Sequence, residues 1–273
     1  MALGGLAVVK LGGDVLEGAP LAAVAAELAR VRAAAGQPGL VVVHGGGPQS
    51  TALSRRLGVE PRVVGGRRIT GPEDLEIVTM VVAGRLNVAL VAALVAAGVP
   101  ALGLHGASGR VVRAHRRPPR VVSGAGPDPI DFGLVGDVDG FDTELLDWVL
   151  AAGRVPVLAC LGCAADGTML NINADIVASQ LAAALHADCL IAVSGVGGVR
   201  RDKDDPGSRI ARLTVAEART AIADGTVQGG MIPKLEEAMG ALAAGVPAVH
   251  VVGPGEIRAA LEAPGRAGTV LLP

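Results

Sequence analysis

Short runs of β-branched and apolar residues alternate along this chain with longer Ala-, Leu- and Arg-rich stretches whose apolar positions recur at helical spacing. The short runs predict strands at Leu6–Leu11, Leu40–His44, Ala101–Leu104, Val155–Leu161, Cys189–Ser194, Ala248–Val252 and Thr269–Leu272. The longer stretches predict helices over Pro20–Ala35, Pro48–Leu57, Pro72–Ala97, Asp175–His186, Thr214–Asp224, Pro233–Ala244 and Pro254–Leu261. Asp142 is placed to N-cap a further helix running to Ala152. A strand as uniformly apolar as Leu40-Val41-Val42-Val43 is buried on both faces, so the alternation predicts an α/β protein with a mostly parallel sheet covered on both sides. Arg110–Val122 reads as a β-hairpin region within a β-rich insertion over about residues 105–140.

Composition narrows the class. Of 273 residues, 51% are hydrophobic and 18% charged, enough for a large core and too apolar for disorder. The formal net charge of −2 excludes a general nucleic-acid binder. Phe132, Phe141 and Trp148 are the whole aromatic set, which leaves nothing to stack on bases. Three cysteines cannot make a disulfide framework, and the N-terminus lacks a basic export signal, so a soluble cytoplasmic protein is expected. The uncharged stretch Leu86–Ser108 is Ala-rich and broken by Gly98-Val99-Pro100, which suits a buried helix and strand better than a membrane span.

Candidate chemistry gathers at strand ends. His44-Gly45-Gly46-Gly47-Pro48 follows one buried strand and opens a helix, an arrangement whose free N–H groups suit an anion better than a plain turn requires. Gly12-Gly13 follows the first strand in the same sense, facing one crevice. There is no G-x-x-x-x-G-K-[ST], no G-x-S-x-G, and only a partial dinucleotide fingerprint. Only three lysines occur, and two are specially placed: Lys10 closes the first strand, and Lys234 opens a helix after Gly229-Gly230-Met231-Ile232-Pro233. Such ammonium groups at glycine-lined ends suit phosphate oxygens. In Asn171-Ile172-Asn173-Ala174-Asp175, capping explains Asn173 or Asp175 alone but not three polar groups in a row, so ligand contact is expected. Cys160-Leu161-Gly162-Cys163 has no second thiol pair and reads as core packing, with metal or redox use as the alternative. His44 touches this site through its loop, and His105, His186 and His250 read as structural. Arg113 to Arg120 is a basic run without compensating acid, expected on a solvated hairpin.

Taken in order, Val9 to Gly13, His44 to Pro48, Gly66-Arg67-Arg68-Ile69-Thr70, Phe132-Gly133-Leu134-Val135-Gly136-Asp137-Val138, Asn171 to Asp175 and Gly229 to Lys234 resemble the acetylglutamate kinase family of the amino-acid kinase superfamily. The resemblance covers almost the whole chain. It implies a three-layer α/β/α sandwich of two lobes: residues 1–186 for the amino-acid substrate and dimerisation, residues 187–273 for the nucleotide. It implies that Lys10 and Lys234 hold the transferring phosphoryl group and that Asp175 positions both lysines. Gly45 and Gly46 are expected to donate N–H groups to phosphate or substrate, Arg68 to clamp a substrate carboxylate, and Asn171 and Asn173 to orient the acyl-amino portion. Gly12, Gly13, Ser194, Gly195, Val196 and Gly198 fall to the nucleotide.

The implied reaction is transfer of phosphate from ATP, with Mg²⁺ carried by the nucleotide, to the γ-carboxylate of N-acetyl-L-glutamate, a step of arginine biosynthesis. A carboxylate of pKa about 4 is already ionised at neutral pH and needs no general base. No protein-held metal, nucleic acid or membrane is expected; a homodimer is. Three departures stand out: Gly195 where the family carries an aspartate, no aspartate after the loop glycine of Leu104 to Gly109, and no helical extension before the first strand. The last predicts an arginine-insensitive dimer. Two alternatives follow: a kinase for glutamate or aminoadipate on a small acidic carrier protein, which the basic run would meet, and an inactive sensor.

Overall fold

The computed structural model describes residues 5–34, 36, 38–65, 67–121, 126–202 and 204–273, so expectations that rest on Ala35, Gly66, Val122 and Lys203 lie outside the described residues. The chain enters through β1 (Leu6–Leu11) and α1 (Gly18–Ala33), then β2 (Gly39–His44) and α2 (Gly47–Arg56). A short antiparallel pair follows, β3 (Val63–Val64) with β4 (Arg67–Arg68). One continuous helix then runs from Pro72 to Ala96. It comprises α3 (Pro72–Thr79), a π-wound stretch (Met80–Leu86) and α4 (Asn87–Ala96). The middle of the chain forms β5 (Ala101–Leu104), β6 (Val112–Arg116), β7 (Gly136–Phe141), α5 (Thr143–Ala151), β8 (Val155–Ala159), β9 (Leu161–Cys163) and β10 (Met169–Asn171). The remainder adds α6 (Ala174–Ala184), β11 (Cys189–Val193), β12 (Arg212–Thr214), α7 (Val215–Ala223), α8 (Met231–Ala243), β13 (Val249–Val252), α9 (Ile257–Glu262) and β14 (Thr269–Leu272).

Eight strands form one sheet in the order β12-β14-β13-β11-β1-β2-β8-β5, parallel except where β13 meets β14. β1 lies between β11 and β2, so the strands before α6 occupy one half and those after it the other. Val8, Val9, Leu11 and Leu40 to Val43 are fully buried, which the two-sided helical cover requires. Asp142 caps α5 as the sequence predicts, accepting the Leu145 N–H at 3.0 Å, and Thr214 with Glu217 forms a capping box on α7.

Two expectations change. The Arg110–Val122 region is not a self-contained hairpin, because β6 pairs antiparallel with β7, some twenty residues on. The run Val155–Leu161 divides: β8 stays in the large sheet, while β9 joins a second sheet ordered β10-β9-β6-β7. The long helix is continuous, as its spacing predicts, but is π-wound over Met80–Leu86. By length and composition alone that helix could cross a membrane, but it packs on α1, β5 and β8.

Candidate active site

Strand register assembles the site. Leu11 pairs with His44 on one side and Val193 on the other, so the segments after β1, β2 and β11 leave the sheet side by side at its carboxyl end. These are Gly12-Gly13, Gly45-Gly46-Gly47 and Ser194-Gly195-Val196. The Gly12 N–H donates to Val193 O at 3.1 Å and the Gly45 N–H to Leu11 O at 3.2 Å, which extends the sheet by one residue. Gly45 was expected to offer its N–H to a ligand; it is committed to the sheet instead. Among the described residues none accepts the Gly46 or the Gly47 N–H, so both amides stand free at the turn. A Cβ on Gly46 would lie 2.5 Å from Leu86 Cδ1, and one on Gly13 would lie 2.8 Å from Pro48 Cδ, so neither position accepts a side chain.

Lys10, at the end of β1, is buried and its Nζ lies 2.7 Å from Asp175 Oδ1. Asp175 is fixed at the start of α6, where Asn173 Oδ1 accepts its N–H at 2.8 Å. Asn173 is therefore the cap, and its amide nitrogen and the second lone pair of Oδ1 remain for a ligand. Lys234 stands in the first turn of α8, just after Gly229, whose φ of 58° is left-handed. Burial pushes the Lys234 ammonium below its usual range, the charge of Lys10 adds to that, and Asp14 and Asp175 oppose it. Glu237, one turn further along α8, is pushed upward by burial and then by Asp175.

Each of these lysines lines a different cavity. One of about 280 Å³ includes Lys10, Gly46, Arg68, Asn171, Asn173 and Asp175 in its wall; Gly12 and Gly13 also face it rather than the larger one. The other, about 820 Å³, is lined by Gly195, Val196, Gly198, Gln228, Met231 and Lys234. Ser194 faces a small hollow between them, shared by Lys10, Asp175 and Lys234.

In the smaller cavity, Arg68 Nη2 donates to Thr51 Oγ1 at 2.5 Å, while Nη1 is 3.9 Å from Asp74 Oδ1 and has no hydrogen-bond partner although buried. Nη1 is thus turned to Asp74, and the Arg68 guanidinium as a whole stands in the cavity wall, where a fixed cation suits a carboxylate. Asn171 Nδ2 donates to Thr70 Oγ1 at 3.1 Å.

The amino acid kinase family profile matches residues 5–253. An acetylglutamate kinase of Anaeromyxobacter dehalogenans (strain 2CP-1 / ATCC BAA-258) is 54% identical over 97% of this chain and 98% of its own length. Another, from Sorangium cellulosum (strain So ce56), is 52% identical over 97% of this chain and 94% of its own. The chain belongs to the amino acid kinase family, among the acetylglutamate kinases. The crystal structure of smu.665 from Streptococcus mutans UA159 superposes on this kinase with a TM-score of 0.77 at 28% identity, covering 98% of both chains.

Within this kinase, the unusual Gly195 has a local counterpart. Its N–H donates to Asp14 Oδ2 at 2.7 Å, and a Cβ on Gly195 would lie 3.2 Å from the same oxygen. A carboxylate thus stands beside position 195, supplied from the first glycine turn. Sequence reasoning missed Asp14, Thr51, Thr70, Arg117 and Glu237. Only Glu237 carried a visible signal, its spacing of three from Lys234 on one helix face. The basic run is corrected outright: β7 and the loop before it bring His115 to Asp139 (2.6 Å), Arg116 to Asp131 (2.7 Å) and a buried Arg117 to Asp137 (2.6 Å). The acid lies about twenty residues downstream, where strand pairing delivers it. Cys160 and Cys163 are buried and free, and burial pushes the Cys160 thiol up to about 12, which leaves packing as their use.

Proposed function

We propose that this protein transfers the γ-phosphoryl group of ATP to the γ-carboxylate of N-acetyl-L-glutamate, giving ADP and N-acetyl-L-glutamyl 5-phosphate for arginine biosynthesis. The observation that carries the reading is the position of Lys10 and Lys234, one in the wall of each cavity and both on the hollow between them. A group passed from one cavity to the other crosses both ammonium groups. The amino acid occupies the 280 Å³ cavity formed by the chain before residue 187, and the nucleotide the 820 Å³ cavity formed largely after it.

A carboxylate oxygen attacks the γ-phosphorus, the bond to the β–γ bridging oxygen breaks, and that electron pair leaves on ADP. Because the nucleophile is already ionised, the protein's task is alignment and cancellation of charge. Lys10 and Lys234 face the equatorial oxygens, Gly46 donates its N–H to the same group, and Asp175 holds Lys10. Arg68 takes the α-carboxylate through its guanidinium. The amides of Asn171 and Asn173 orient the acyl-amino portion, and Gly195, Val196 and Gly198 shape the nucleotide side. Mg²⁺ enters with ATP, held chiefly by phosphate oxygens. When bound there it neutralises charge on the phosphates.

The protein works as a homodimer in the cytoplasm. β5 is the outer strand of the large sheet, and beside it Val88 and Val95, two turns apart on α4, and Leu102 of β5 are exposed apolar residues. A second copy covers that face and satisfies the strand edge. Sedimentation should show a dimer that V88E with V95E dissociates; a monomer in the unsubstituted protein contradicts the assignment.

The reaction is tested by hydroxylamine trapping with ATP, Mg²⁺ and N-acetyl-L-glutamate, with free glutamate and aminoadipate as controls. Hydroxamate with the acetylated substrate alone is expected. Equal or greater product with either free amino acid overturns the substrate, and none with any of them overturns the reaction.

A further inference from the structure

A polar relay lies buried behind the glycine turn. His44, the last residue of β2, is fully buried, as is nearly all of Asn87, the first residue of α4. Asn87 Nδ2 is 3.0 Å from Val157 O and 3.0 Å from His44 Nε2, and His44 Nδ1 is 2.9 Å from Gly45 O. A backbone carbonyl only accepts, so Val157 O fixes the Asn87 amide with its NH₂ group inward. Its second hydrogen then meets His44 Nε2, which must be the acceptor. The imidazole proton therefore sits on Nδ1 and is donated to Gly45 O. Burial holds His44 near pKa 4, so the ring is neutral at pH 7, as this arrangement needs. Room for Asn87 comes from Gly103, where a Cβ would lie 2.3 Å from Asn87 Oδ1.

We infer that Asn87 and His44 are positioning residues that aim the Gly46 N–H into the cleft. In a trans peptide the carbonyl and the following N–H point in opposite directions. Drawing Gly45 O inward toward His44 turns the Gly46 N–H outward, to the 280 Å³ cavity that Gly46 lines. The flanking groups are held by the Gly45 N–H to Leu11 O bond (3.2 Å) and the Ser50 N–H to Gly46 O bond (2.9 Å), while the Gly45 carbonyl has no donor but His44 and the Gly46 amide no acceptor among the described residues. The inference rests on the phosphoryl-transfer reading for the use made of that amide.

Two substitutions separate positioning from filling. In H44N the side-chain nitrogen replaces Nδ1 and can still donate to Gly45 O. In H44Q the amide reaches the Nε2 place, fills the site better and can accept from Asn87, but offers Gly45 O no donor. Losing one preorganised donor to a developing charge typically costs about a hundredfold in kcat. H44Q should lose that much with both KM values within about threefold, while H44N stays within about tenfold of the unsubstituted kcat. ¹⁵N spectra of imidazole-labelled protein should show Nδ1 protonated and Nε2 accepting, with loss of that single tautomer in N87L. H44Q as active as H44N, or a proton on Nε2, overturns the inference. Absence of phosphoryl transfer in the unsubstituted protein overturns the underlying reading instead, and the spectrum still decides the relay.

Discussion

The two halves of the cleft are built from different materials. On the amino-acid side, side chains are held before any ligand arrives: Arg68 by Thr51, Asn171 by Thr70, Asp175 by the start of α6, Lys10 by Asp175. On the nucleotide side the wall is rich in glycine, with Gly195, Gly198, Gly225 and Gly230 in it and Gly198 and Gly225 at left-handed φ, around a cavity about three times larger. A wall of fixed side chains discriminates by what it leaves unpaired when the wrong ligand binds. Exposed main chain accommodates a phosphate chain through geometry and tolerates change in side chains. Selectivity should therefore reside in the smaller cavity, and catalysis at the seam.

The largest effect should come from the seam. Lys234→Ala removes one charge facing the phosphoryl group and should lower kcat by about a hundredfold to a thousandfold, with both KM values little changed. An unchanged kcat removes Lys234 from the chemistry. Next, Arg68→Ala should raise the KM for N-acetyl-L-glutamate by about tenfold to a hundredfold, the range for a charged hydrogen-bonded contact, and leave the ATP KM alone. The reverse pattern would move Arg68 to the nucleotide half and erase the contrast.

The nucleotide side should respond more weakly. Gly195→Asp sets a second carboxylate beside Asp14 and should raise the ATP KM by up to about tenfold; adding Asp14→Ala should restore it, because adjacent sites couple. Equal losses in the single and double variants would show that the Asp14 carboxylate is no counterpart to position 195. The smallest effect is a displaced pH limb. Lys234 must be protonated to act, and in the free protein burial and Lys10 hold its pKa below the ordinary range, so kcat/KM should fall on the alkaline side earlier than for an ordinary lysine. Lys234→Arg, slower in absolute rate, should carry that limb upward. A limb that stays in place assigns it to another group.

The same contrast explains what could be read from the sequence. The large sheet was legible because its strands are apolar on both faces, and Lys10, Lys234 and the glycine turns because they mark strand and helix ends. The second sheet was not, since β7 (Gly136-Asp137-Val138-Asp139-Gly140-Phe141) has neither an apolar run nor a clean alternation. Its aspartates neutralise a basic run that looked unpaired, and no local pattern announces a partner twenty residues away. Gly45 was misjudged for a related reason: a turn glycine and a glycine that extends the sheet look alike until the register of Leu11 with His44 is known. The Asn87–His44–Gly45 relay was equally silent, because Asn87 lies within an otherwise apolar helix.

The central claim is that a phosphoryl group crosses between the cavities at Lys10 and Lys234. It is tested most directly by a crystal structure with MgADP, N-acetyl-L-glutamate and aluminium fluoride. The account predicts a fluoride group between the ADP β-phosphate and the substrate γ-carboxylate, with both lysine Nζ atoms and the Gly46 N–H at its fluorines and the Arg68 guanidinium on the α-carboxylate. A fluoride group in place but out of reach of either lysine would contradict it.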